Sequence, residues 1–79
     1  MFMLENKYNR LRVVLAERDL TNKWLADKLG VSEMTVSRWV SNKRQPPLEQ
    51  LFVIASALDV SPRELINEAI ISEQYGTKI

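Results

Sequence analysis

The sequence predicts an all-α domain of five helices, and three observations lead there. Apolar residues recur at spacings of three and four, with none of the alternation that a half-buried strand requires. Punctuation is sparse: glycine occurs only at positions 30 and 76 and proline only at 46, 47 and 62, so the connections must be short. Serine or threonine stands ahead of several apolar runs, where a hydroxyl can accept from the free amides of a first helical turn.

Leu4, Tyr8, Leu11, Val14 and Leu15, with the stem of Arg18, form one stripe and predict a first helix over residues 5–18. Thr21 is placed as the N-cap of a second helix over 22–29, with Leu25, Ala26 and Leu29 inward. Gly30 follows directly, where a residue in the left-handed region ends a helix without a side-chain clash. Ser32 is the next N-cap and opens a helix over 33–41 whose apolar residues are Val36, Trp39 and Val40. Asn42 is placed like a left-handed cap. Gln45-Pro46-Pro47 then forbids helix until Pro47 restarts it near its first position, over 47–58, with Leu48, Leu51, Phe52, Ile54, Ala55 and Leu58. Ser61-Pro62-Arg63-Glu64 reads as a capping box for a fifth helix carrying Leu65, Ile66, Ala69 and Ile70. The whole of 1–79 is expected to be one domain, with its core over about 5–72 and a tail over 73–79 that frays unless something binds it.

Composition removes whole classes of chemistry. With no cysteine there are no disulfides, thiolate metal sites or cysteine nucleophiles, and with no histidine the commonest general base and metal ligand are gone. A chain of 79 residues also has little room for a deep pocket. No catalysis, cofactor or metal is expected. No apolar run approaches the roughly 18 residues that span a bilayer, and Met1-Phe2-Met3-Leu4-Glu5 does not resemble a secretory leader. The expected compartment is the cytoplasm, with no membrane partner.

Net charge is only +1, but it is unevenly spread. Residues 1–44 hold nine of the eleven Lys and Arg against five of the ten acids, a surplus of four cations, and the remainder carries a deficit of three. A basic half beside an acidic half suits a polyanionic partner, although an ordinary solvated surface could be as uneven.

The informative stretch is residues 21–42, two short helices joined at Gly30. Ala26 is small where the helices must approach closely, and Val36 and Trp39 are spaced to bury one face of the second helix against Leu25 and Leu29. That leaves Glu33, Met34, Ser37 and Arg38 outward, with Ser41 at the far end. The unit reads as a helix-turn-helix whose outward helix is sized for the major groove of B-DNA, about 12 Å wide.

From Asn9-Arg10-Leu11-Arg12 to Glu64-Leu65-Ile66 the chain resembles the lambda-repressor-like, or XRE, helix-turn-helix transcription regulators. The matching pieces are Leu20-Thr21, Leu25-Ala26-Asp27-Lys28-Leu29-Gly30-Val31-Ser32, Thr35-Val36-Ser37, Pro47-Leu48-Glu49-Gln50-Leu51, Ile54-Ala55 and Leu58-Asp59-Val60-Ser61. The resemblance implies a compact five-helix DNA-binding domain whose third helix reads bases, usually as a homodimer on a near-palindromic operator. Two departures stand out. Val40-Ser41-Asn42-Lys43 replaces a Glu-Asn-Gly-Lys type of corner, and Asn22 stands for a common glutamine near the start of the second helix.

Base contacts are expected from Glu33, Met34, Thr35, Ser37 and Arg38. Arg38 leads, because a guanidinium can bridge guanine O6 and N7. Glu33 could accept from a cytosine amino group or complement the helix N-terminus, and Met34 could touch a thymine methyl or lie idle. Backbone phosphates are expected at Thr21, Asn22 and Lys23, at Ser41, Asn42, Lys43 and Arg44, and at Arg10. Trp39 reads as core, whereas Trp24 could cover the first helix or lie along the sugar-phosphate backbone, partial burial being favoured. Val53, Ile70 and Ile71 could form an apolar patch for homodimerisation, or the isoleucines could pack on their own domain. The function expected is double-stranded DNA binding as a transcriptional repressor, controlled by concentration, a protein partner or degradation. The alternatives are an antitoxin paired with a toxin and a DNA-inactive protein-interaction domain of the same fold; a protein partner would be a toxin or a co-regulator.

Overall fold

Four α-helices and one 3-10 turn enclose a single apolar cluster in the computed structural model, which describes residues 7–69. The helices are α1 (Leu11–Glu17), α2 (Asn22–Leu29), α3 (Glu33–Val40) and α4 (Leu48–Leu58), and the 3-10 turn is Pro62–Leu65. Every element contributes to the core. Leu11, Leu25, Val36, Ile54 and Leu65 are each fully buried, one from each of the five. Val14, Leu15, Ala26, Trp39, Val40, Leu51, Ala55 and Leu58 complete it, so the helical stripes legible in the sequence face one another here.

The first helix begins later than its apolar stripe suggests. Residues 7–10 are not helical; Asn9 forms an antiparallel bridge with Ile66. Arg10 N donates to Leu65 O at 2.8 Å and Asn67 N to Tyr8 O at 2.8 Å. Backbone amides spent on a distant segment cannot also serve a helical turn, so tertiary pairing overrides the local pattern. Tyr8 accordingly leaves the stripe and is 37% exposed. Asn9 Oδ1 takes the Leu11 amide at 3.0 Å, the local side-chain bond that starts α1 where it does.

The same pairing corrects the fifth element. After Pro62–Leu65 the chain turns extended at Ile66, with φ −105° and ψ 133°, instead of continuing as an α-helix. No Ser61 side-chain cap forms; only its carbonyl is used, accepting from Glu64 N at 2.9 Å, so the capping box is not made. Pro47 is the N-cap of α4 rather than its first helical residue, and Leu48 and Phe52 turn outward at 70% and 55% exposure. Leu4 of the first stripe, Ile70 and Ile71, and the tail over 73–79 lie outside the described residues.

Among the described residues four have positive φ, and all follow helix ends: Asp19 at 59°, Gly30 at 71°, Asn42 at 62° and Asp59 at 58°. The sequence marks Gly30 and Asn42, but not the two aspartates. At Asp19 and Asp59 the following amides, Leu20 N and Val60 N, reach back to Leu15 O and Ala55 O at 2.9 and 3.0 Å. These reversals satisfy carbonyls that a helix end would otherwise leave open.

Candidate nucleic-acid interface

The interface is built on α2 and α3. Thr21 Oγ1 accepts from Trp24 N at 3.0 Å and Ser32 Oγ from Thr35 N at 3.1 Å, so both helices begin where their hydroxyl caps lie. Gly30 turns the chain between them, its amide bonding Ala26 O. Val36, Trp39 and Val40 bury one side of α3, at 0%, 6% and 6% exposure. Val40 is thus a core residue. Trp24 is half-buried against the core, with Lys28 Nζ 5.6 Å from its ring centroid. That is within the range of a cation–π contact.

Because α3 is fixed by its inner side, its outer side is determined. Glu33, Met34, Ser37 and Arg38 fall at successive i, i+1, i+4 and i+5 positions and are all exposed, Met34 at 62%. Glu33 lies in the first turn, where a carboxylate complements the positive end of the helix. Thr35 is half-buried and its hydroxyl is 2.9 Å from that of Ser32, so it is already engaged within the cap. Four of the five expected base-contact residues therefore share one open face, and Thr35 stands beside it.

At the far end of α3 the Arg38 carbonyl gathers three donors: Lys43 N at 3.0 Å, Arg44 N at 3.2 Å and Ser41 Oγ at 3.2 Å. Asn42 makes this tight corner possible with its left-handed backbone. Its side chain, however, points home. Asn42 Nδ2 donates to Asn9 O at 3.1 Å, while Asn42 Oδ1 accepts from Asn9 N at 2.9 Å and from Gln45 Nε2 at 3.0 Å. Asn9 is only 7% exposed and also donates through Nδ2 to Trp39 O at 2.9 Å and Gln45 Oε1 at 2.8 Å. This pair clamps the corner to the chain ahead of α1. Sequence reasoning did not single out Asn9: an asparagine ahead of a helix signals a local turn, but its partners 30 to 36 residues away leave no local trace.

The remaining expected phosphate contacts differ in how free they are. Thr21 spends its oxygen on the cap and Asn22 is half-buried. Lys23 Nζ lies 3.3 Å from Asp27 Oδ2 in an exposed i,i+4 pair, which holds it weakly. Arg10 Nη1 donates to Glu64 O at 2.9 Å, tying that guanidinium to the 3-10 turn. Arg18 Nη2 bonds Asp59 O at 3.3 Å and Arg63 faces Glu68 at 3.9 Å. By contrast, the side chains of Arg12, Arg38, Lys43 and Arg44 make no hydrogen bond or ion pair among the described residues. Three of these four cations lie on α3 or the corner that its last carbonyls organise.

No group of acidic side chains among the described residues is arranged to hold a metal ion, and no described helix is long and apolar enough to cross a membrane. The helix-turn-helix family model matches residues 11–65, from α1 through the 3-10 turn. An uncharacterised HTH-type transcriptional regulator of Bacillus subtilis, YobD, is 33% identical over 52 residues, covering 66% of this chain. The match takes in 46% of that relative, so the chain spans about half its length. The crystal structure of a candidate DNA-binding protein from Bacteroides fragilis is similar at 57% identity and a TM-score of 0.75, covering 76% of this chain and 97% of that one.

Proposed function

The chain belongs to the XRE-type helix-turn-helix family, and from that premise we propose that it is a sequence-specific, double-stranded DNA-binding transcriptional repressor. The observation that carries this reading is the gathering of Arg38, Lys43 and Arg44, cations with no partner among the described residues, at the end of an exposed polar helix face. An α-helix with its side chains is about 10–12 Å across and fits a major groove about 12 Å wide. Arg38 supplies a planar fork to a guanine edge, with Met34 and Ser37 beside it and Glu33 at the entering end. Lys43 and Arg44 grip phosphates past the end of α3, which fixes register without conveying sequence. Thr21, Asn22 and Lys23 serve the phosphates at the start of α2. Ser41 and Asn42 act chiefly by shaping the corner. Occupancy of an operator then blocks polymerase sterically.

The DNA-bound form is a homodimer. Val53 is 50% exposed on α4, where Phe52 and Leu48 are exposed as well, and these outward apolar side chains support pairing with a second copy. Sedimentation of the full chain at high micromolar concentration, with and without operator, should show the dimer; monomer alone in both would contradict it.

Selection of duplexes from a random pool at near-physiological salt tests the main reading. The expected product is an inverted repeat with half-sites about one helical turn apart. Retention of DNA with no enriched sequence would contradict specific recognition.

A further inference from the structure

A cleft of about 760 Å³ opens beside the corner, between residues 7–13, the end of α3 and Asn67. Lys7, Arg10, Arg12 and Lys43 line it, with no carboxylate from the described residues. Its polar floor is already committed: Asn9 and Asn42 bond each other, and Asn67 Nδ2 donates to Lys7 O at 2.7 Å. Arg12 and Lys43, neither partnered among the described residues, and Arg10, held on a carbonyl rather than a carboxylate, make a concave positive surface whose charges repel one another unless an anion is present. Arg12 is the informative member. It is exposed on α1 and has no hydrogen-bond or ion-pair partner among the described residues.

We propose that this cleft is a second phosphate-binding site, holding the sugar-phosphate backbone of DNA that flanks the half-site read by α3. Continuity favours DNA as the occupant, because Ser41, Asn42 and Lys43 belong at once to the recognition corner and to the cleft wall. A duplex gripped at Lys43 carries its next phosphates toward the cations that share its cleft, and here these include Arg12 and Arg10. Arg12, which no helix-turn-helix geometry on α2 and α3 requires, becomes a backbone contact. The proposal rests on the DNA-binding reading above and extends its footprint beyond the recognition helix.

The test compares wild type, Arg12→Ala, Arg12→Lys and, as a control outside the cleft, Arg63→Ala. Each is titrated with a duplex bearing the selected sequence and with a scrambled duplex of equal length, over a range of salt, and with short and long flanks. Arg12→Ala should reduce the slope of log affinity against log salt by about 0.9, one phosphate contact, on both duplexes. Arg12→Lys should restore it, since a point charge suffices for a phosphate. The loss should vanish on duplexes with trimmed flanks, and Arg63→Ala should match wild type throughout. An unchanged slope for Arg12→Ala on long duplexes would overturn the proposal. So would competition by millimolar inorganic phosphate that removes the Arg12 effect without displacing DNA, which would make the cleft a site for free anions. Because the slope is also read on scrambled DNA, absence of a sequence preference in wild type would refute specific reading alone and leave the cleft judged separately.

Discussion

Arg38 works through two ends. Its carbonyl organises the corner by accepting from Lys43, Arg44 and Ser41, while its guanidinium stays unpartnered among the described residues and faces outward. Arg38→Ala removes only the second, since the backbone clasp survives. It should relax the base preference at one position per half-site by about 1–3 kcal/mol. Lys43→Ala should instead weaken all sequences alike, and a binding series on single-base operator variants separates the two patterns. Asn9 is the opposite kind of residue, touching no ligand but holding Asn42, Trp39 and Gln45 in place. Asn9→Ala leaves the Trp39 carbonyl and the Leu11 amide without that partner and should cost about 2–3 kcal/mol in urea denaturation. Arg38 was legible in the sequence because helical spacing alone puts it opposite Val36 and Trp39. Asn9 was not, because its significance comes from residues far along the chain.

The helices themselves were legible where side-chain pattern and capping agree. Thr21, Ser32 and Gly30 mark the limits of α2 and the start of α3, and the structure uses each as expected. Pattern failed where a backbone has a competing partner. Residues 8–10 and 65–67 carry helical spacing yet pair with one another, which shortened α1 and reduced the fifth element to a 3-10 turn. The helix ends offer a clean experiment in backbone strain. At Gly30 an added Cβ would meet nothing within 4 Å, so Gly30→Ala should cost about 1–2 kcal/mol through its positive φ alone. Asp19→Gly and Asp59→Gly should move the other way. Both residues are exposed with φ near 60°, and glycine should relieve up to about 1 kcal/mol of the left-handed cost at each. Thermal unfolding of the three variants against wild type checks the signs together.

At the scale of the whole molecule, the net charge of +1 conceals how the charge is placed. Cations nearest the C-terminal elements are tied down, Arg10 and Arg18 on carbonyls and Arg63 beside Glu68. Lys43 and Arg44 along the corner have no such partner among the described residues, so part of the surplus seen in residues 1–44 becomes a local patch only after folding. Opposite in chemistry is α4, whose Leu48, Phe52 and Val53 face solvent. Phe52→Glu should leave the monomer folded, because that side chain is 55% exposed, while lowering the dimer fraction and the affinity for a two-half-site operator. Of the patch expected from Val53, Ile70 and Ile71, only Val53 lies among the described residues, and it is exposed; the outward turn of Leu48 and Phe52 was not legible, since an apolar residue on a helix reads as core until the packing partners are known.

If the outer face of α3 and its following corner meet the DNA, amide NMR mapping will register that contact residue by residue. Isotope-labelled full chain would be titrated with the selected duplex at near-physiological salt. The largest shifts should fall on Met34, Ser37, Arg38, Lys43 and Arg44, and those at residues 33–38 should shrink when the duplex is scrambled. Equal shifts with both duplexes, or none on α3 at all, would contradict it.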